Sequence, residues 1–170
     1  MVGNDNCIRP ISSKGGISMT DKDDKLELTL KSMLNTLDTK YHMLLDEEVI
    51  QNTPDRIRRA YDEICSGYAM NPESILSKRF KGSSGMVIEG NIEFVSMCEH
   101  HLLPFYGKAI VAYIPHNNDV VGISKLARVV EVFSKRLQTQ ERLTMQIAKT
   151  IMGVLQPRGV AVTVDASHQC

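Results

Sequence analysis

The chain has no tryptophan, and aromatic residues make up only 5% of its 170 positions. Binders of single-stranded nucleic acid stack bases on aromatic platforms, so that class is disfavoured at the outset. There is no run of about 18 apolar residues and no charged-then-apolar leader at the start, so the expected protein is soluble, unexported and cytoplasmic. A surplus of either charge is also missing, because 20 Lys+Arg balance 20 Asp+Glu. No overall electrostatic case exists for nucleic acid or an anionic membrane, and any anion site must be local. Cysteine is scarce and irregularly spaced, at positions 7, 65, 98 and 170. A cytosolic chain of this size folds without disulfides, so free thiols are expected.

What the sequence does hold is 42% hydrophobic residues, enough for one core with a helical appendage. Residues 1–19 carry Gly15-Gly16 and no apolar period, and read as a mobile arm. A helical region is expected over 20–80. Thr20-x-x-Asp23 resembles a capping box, and Leu26, Leu30, Met33, Leu34 and Leu37 fall on one helical face. Thr53-Pro54 reads as the start of a second helix carrying Arg56, with Ile57, Ala60, Tyr61 and Ile64 as its apolar stripe.

From residue 81 to 170 the pattern turns to strands and helices. Met86–Val95 and Gly107–Ile114 read as strands, and Pro115–Asp119 as a turn that makes an antiparallel hairpin of Gly107–Ile114 with Val120–Gly122. Ser124 is the expected cap of a helix buried through Leu126, Val129, Val130, Phe133 and Leu137. Leu143, Ile147, Ile151 and Leu155 mark a further helix, and Val160, Val162, Val164 and Ala166 alternate in a last strand. This order predicts an α+β fold with a mainly antiparallel sheet.

The densest chemistry is the stretch SMCEHHLLPF, positions 96–105. Cys98-x-x-His101 lets a thiolate and an imidazole from one turn reach a single ion, and zinc suits that mixture of sulfur and nitrogen. Taken alone, a buried cysteine beside surface histidines accounts for it equally well. His168 and Cys170 change the balance, since two residues apart on an alternating strand their side chains share a face. If Cys170 joins Cys98 and His101, three protein ligands leave an open, catalytic position; a closed structural Cys2His2 set using His168 is the alternative. An open zinc makes a water-derived nucleophile available near neutral pH, so hydrolysis is the expected reaction, with His100 or His168 carrying protons.

Ser124-Lys125, with Arg128 one turn on, places a hydroxyl, helix N-terminal amides and two cations where a phosphate would bind. A solvated helix start is the plainer reading, and plainer still for Arg56. Gln140-Glu141 could read the N–H edge of a guanine-like ring, against the simpler reading of a surface QER run.

SMCEHHLLPFYGKAIVAYIP, GISKLARVVEVFSKRLQTQERLT and VAVTVDASHQC, with NTPDRIRRAYDEICSGY upstream, resemble the ordered signature segments of the GTP cyclohydrolase I family. The resemblance implies a catalytic domain of the tunnelling fold over 81–170, helices on one face of its sheet and a helical hairpin before it. It implies a homodecamer of two stacked pentamers with active sites at subunit interfaces, no nucleic-acid partner and no membrane. The implied reaction is zinc-assisted hydration of GTP at C8, ring opening with release of formate, then rearrangement and reclosure to 7,8-dihydroneopterin triphosphate, the entry to pterin and tetrahydrofolate biosynthesis. Matched position by position, Cys98, His101 and Cys170 correspond to zinc ligands, His100 and His168 to proton-transfer residues, and Gln140 and Glu141 to guanine-binding residues. Ser124, Lys125, Arg128 and Arg56 correspond to residues around the ribose and triphosphate, Ser124 being grouped with the catalytic set. The family continues beyond this cysteine through a strand bearing another phosphate-binding arginine and a terminal helix. The sequence therefore also admits a piece of a longer protein, or a catalytically impaired or regulatory zinc-binding homologue. Another enzyme of the same fold, such as dihydroneopterin aldolase or the queuosine-pathway nitrile reductase, is opposed by the joint presence of CEHH, QER and SHQC.

Overall fold

The computed structural model describes residues 19–82 and 84–170, with side chains from Lys25 onward. The arm expected over 1–19 lies outside the described residues except for its last position, and the side chains of the Thr20–Asp23 box lie outside them too. The chain divides into two compact units, one running to Arg59 and the other from Ala60 to Cys170.

In the first unit, helix α1 (Met19–Tyr41) leads through a turn with His42 and Leu44 at positive φ into α2 (Glu47–Ile64), whose last residues, from Ala60, fall in the second unit. The Leu45 amide donates to Asp38 Oδ1 at 2.9 Å, and Arg58 pairs with Glu27 at 2.8 Å. Thr53-Pro54 is not the helix start that the sequence suggests. The Asp46 carbonyl accepts from the amides of Val49 and Ile50, and Glu47 and Glu48 favour the positive end of the helix dipole, so α2 begins two turns earlier. Pro54 is buried inside the helix, where packing offsets its missing donor.

The second unit is α+β. After a 3₁₀ turn (Ser66–Tyr68) and a single turn α3 (Pro72–Ile75) capped by Asn71 come β1 (Arg79–Lys81), β2 (Val87–Cys98), β3 (Pro104–Ile114) and β4 (Asp119–Val121). They are followed by α4 (Ile123–Ser134), β5 (Leu137–Gln138), α5 (Gln140–Leu155) and β6 (Gly159–His168). The main sheet has the order β5-β2-β3-β6. It is mixed: β2–β3 and β3–β6 are antiparallel, whereas β5 runs parallel to β2 through Met97–Leu137 and Cys98–Gln138. Strand β3 forms its hairpin with β2, not with β4 as the sequence suggested. Asn117 and Asn118 at positive φ turn the chain away after Pro115, and β4 pairs with β1 instead. The Val121 amide donates to the Tyr113 hydroxyl at 3.1 Å, which satisfies a buried group that leaves the sheet.

One face of the hairpin buries Ile92, Phe94, Ser96, Cys98, Phe105, Ala109, Val111 and Tyr113. Against it lie Leu126, Val129, Val130 and Phe133 of α4 and Leu143, Ile147, Ile151 and Leu155 of α5. Strand period 2 and helix period near 4 meet in this core, and Val95, Tyr106 and Ile110 are left on the other, exposed face. Ser124 does not cap α4. Ile123 is already helical and Gly122 holds the cap position, with Lys125 N–H donating to its carbonyl at 2.8 Å. Among the described residues no helix is long and apolar enough to cross a membrane.

Candidate metal centre

Cys98 is the last residue of β2, and the chain must reverse within a few residues to enter β3. Two backbone bonds close that reversal: Cys98 N–H donates to Leu103 O at 2.8 Å, and Leu102 N–H donates to Cys98 O at 2.9 Å. Leu102 takes the left-handed conformation at φ 54°, and Pro104 favours an extended Leu103, which restarts the strand. The reversal folds His101 back onto Cys98, with Nδ1 3.6 Å from Sγ.

The third donor comes from the other side of β3. The register pairs Phe105 with His168, and the Gln169 amide donates to Pro104 O at 3.1 Å, so pairing persists past the end of β6. This carries Cys170 to the Cys98–His101 turn. Sγ of Cys98, a ring nitrogen of His101 and Sγ of Cys170 all lie within 4.8 Å of one another. With metal–sulfur and metal–nitrogen bonds of about 2.3 and 2.0–2.1 Å, a tetrahedral zinc separates a sulfur and a nitrogen ligand by about 3.5 Å. The 3.6 Å between Cys98 and His101 is therefore a ligand spacing, and the donor set fits a thiophilic divalent ion.

Electrostatics favour the same end. The hydrogen bond with His101, then the His100 backbone amide, pull the Cys98 thiol down from its ordinary value to about 6. The adjacent Cys98 sulfur pushes the Cys170 thiol up. One sulfur is ready as a thiolate and the other holds its proton until a cation arrives.

His168 stands beside this group without belonging to it. Its Nδ1 is 3.8 Å from Cys170 Sγ, and its Nε2 is 2.8 Å from Gln140 Oε1. Gln140, the first residue of α5, donates through Nε2 to Val164 O at 2.9 Å. His100 is 64% exposed, with Nε2 3.5 Å from Glu99 Oε1 and its ring edge-on to that of His101. Glu141 is exposed in the first turn of α5, where Thr139 caps the helix through the Arg142 amide.

The other expected residues lie on helices α4 and α2. Ser124, Lys125 and Arg128 lie in the first two turns of α4. The C-terminal end of α4 leads into β5 beside Cys98, and at about 1.5 Å per residue Lys125 lies about 14 Å and Arg128 about 9 Å back along the helix from that end. Arg56 belongs to the first unit, where it pairs with Glu48 at 2.6 Å.

Two residues that the sequence did not single out adjoin the cluster. Arg142 donates to both carboxylate oxygens of Glu99, to Oε1 at 2.6 Å, and holds the Glu99 carboxyl below its usual range. Both lie inside recognised motifs, CEHH and QER, but no spacing rule links residues 43 apart.

Comparison with known proteins finds relatives over most of the chain. A GTP cyclohydrolase 1 of Wolinella succinogenes is 47% identical over 154 residues, which is 89% of this chain and 80% of that protein. One from Clostridium kluyveri is 56% identical over 126 residues, 74% of this chain and 68% of the relative. One from Clostridium perfringens is 50% identical over 153 residues, 89% and 80% of the two chains. The sequence model of GTP cyclohydrolase I matches residues 27–170, and the chain belongs to that family.

Proposed function

We propose that this protein is a zinc-dependent GTP cyclohydrolase I, converting GTP and water to formate and 7,8-dihydroneopterin triphosphate at the start of pterin and tetrahydrofolate synthesis. The observation that carries the reading is the convergence of Cys98, His101 and Cys170 beside a histidine that is held by Gln140 but is not itself in the donor group. Three ligands and a neighbouring proton carrier suit hydrolysis, whereas a structural site would be closed by a fourth ligand.

Cys98, His101 and Cys170 would hold the ion, which when bound supplies a Lewis acid and lowers the pKa of a coordinated water to about 7. Glu141, at the start of α5, accepts from the N–H edge of guanine, and Gln140 lies beside it to bound the same ring. These contacts orient C8 towards the metal centre. His168 transfers the protons that accompany hydration at C8 and scission of the imidazole ring, and His100, exposed at the rim, exchanges protons with solvent. Ser124, Lys125, Arg128 and Arg56 bind the ribose and triphosphate.

The place of Lys125 near the α4 N-terminus, about 14 Å along the helix from the end that leads to β5, supports an assembly in which it serves a neighbouring subunit's metal centre. A homodecamer of the tunnelling fold, with the first unit as its helical hairpin, is consistent with two features. β6 presents ten residues at the edge of the sheet, and Val95, Tyr106 and Ile110 are 66%, 46% and 47% exposed on the face away from the helices. Open edges and apolar faces of that extent are commonly covered by pairing between chains. A cytoplasmic location suits the site, because two thiol ligands persist in a reducing compartment.

The test is incubation of the zinc-loaded protein with GTP, followed by assay of formate and of pterin absorbance. Both should appear, stop on removal of zinc by a chelator and return with added zinc. Turnover that survives complete zinc removal refutes the mechanism, and a zinc-replete protein that leaves GTP intact refutes the activity.

A further inference from the structure

The three donor atoms come from two strands that do not touch: Cys98 and His101 from the end of β2, Cys170 from beyond β6, with β3 between them. The first turn of α5 reaches both. On the β6 side, Gln140 spans Val164 O and His168. On the β2 side, Arg142 grips both carboxylate oxygens of Glu99. The backbone at each end of that ion pair is also fixed, since Thr139 Oγ1 accepts from the Arg142 amide at 3.2 Å and the Glu99 amide donates to Gln138 O at 3.1 Å.

Resting on the metal reading above, we propose that Arg142 is a positioning residue for the metal centre. By holding Glu99, which sits between ligands Cys98 and His101, it fixes the pitch of the ligand turn relative to α5 and so to Cys170. A planar guanidinium suits this task because its two parallel bonds set orientation as well as distance, which a lysine ammonium does not. Partners outside the ligand shell commonly govern metal affinity in this way.

The test measures zinc affinity of the full chain by chelator competition, together with the absorption spectrum of the cobalt-substituted protein. Arg142→Gln and Glu99→Gln should each weaken zinc binding by about ten- to a hundredfold and alter the cobalt spectrum. The double variant should bind no more weakly than the worse single one, because the two residues act as one unit. Arg142→Lys should fall between the unaltered chain and Arg142→Gln. Single variants that bind zinc within about twofold of the unaltered chain, or a double variant whose loss is the product of the single losses, would overturn the proposal. If Arg142→Gln does not fold, Arg142→Lys carries the test, and unaltered affinity in it would overturn the proposal. Failure of the unaltered chain to bind zinc at all would sink the metal reading itself, a result distinct from any of these.

Discussion

His168 lies flat against Phe105, with ring centroids 5.0 Å apart and planes inclined by 4°. The stacking fixes the plane of the imidazole, and Gln140 fixes which nitrogen carries the proton. Gln140 spends its amide N–H on Val164 O, so its carbonyl faces His168 Nε2 and requires an N–H there. Nδ1 is left with a lone pair turned to the Cys170 thiol. The expected nitrogen NMR spectrum of the neutral ring is that of the Nε2–H tautomer, and Gln140→Ala should mix the two tautomers. His168→Ala should lower turnover by about 10²–10⁴-fold with zinc content unchanged. Loss of zinc in that variant would make His168 a ligand.

The two thiols shift in opposite directions, and this sets a pH signature for the metal-free protein. Cys98 titrates near 6 when folded against 9.0 ordinarily, so the unfolded chain binds more protons between these values and stability rises with pH across that window. The contribution disappears as pH falls through about 6. Cys170 is raised, so above the ordinary thiol range its effect has the opposite sign and stability falls again. Denaturant titrations across pH should show the rise, Cys98→Ser should flatten it, and zinc uptake near pH 7 should release a thiol proton chiefly from Cys170.

The donor set was legible in the sequence because each half is local. A three-residue step within a turn and a two-residue step on an alternating strand both survive translation into geometry. The juxtaposition of the halves was not, since it depends on β3 lying between β2 and β6. Pro54 misled because a proline that usually opens helices is tolerated inside a packed one. The strand β5 has two residues, too few to carry a period, yet it is the parallel partner that makes the sheet mixed. The β3–β4 hairpin failed at Asn117 and Asn118, whose left-handed backbone was signalled only as a turn, without its direction.

Glu141 should be separable from the metal. A carboxylate accepting from a guanine edge makes charge-assisted bonds worth about 1.5–3 kcal/mol, so Glu141→Ala should weaken GTP binding about ten- to a hundredfold. Zinc analysis of the same preparation should give the wild-type content. Zinc loss would instead place Glu141 at the ion.

The separation of the α4 N-terminus from the metal centre predicts complementation between chains. On the proposed roles, Lys125→Ala should lack triphosphate contacts and His168→Ala the proton carrier, so each should be inactive alone. If each active site draws these groups from different subunits, a reassembled equimolar mixture should recover about a quarter of wild-type activity. A mixture as inactive as its components would mean that both groups come from one chain.

Gly107 offers a test of how the sheet holds the metal centre together. A Cβ built there would lie 1.9 Å from Asp165 O and 2.8 Å from Ala166 Cα, all backbone with no flexible end to yield. Gly107→Ala must therefore push β6 away from β3 close to the pair Phe105–His168. The expected cost is about 1–3 kcal/mol of stability from overpacking. Because the β3–β6 pairing carries Cys170 towards Cys98 and His101, zinc affinity should fall together with melting temperature. Lys108→Ala, at an exposed neighbouring position, supplies the control and should leave both unchanged. If Gly107→Ala lowered the melting temperature while zinc bound as before, Cys170 would be held to the turn by something other than the β3–β6 ladder.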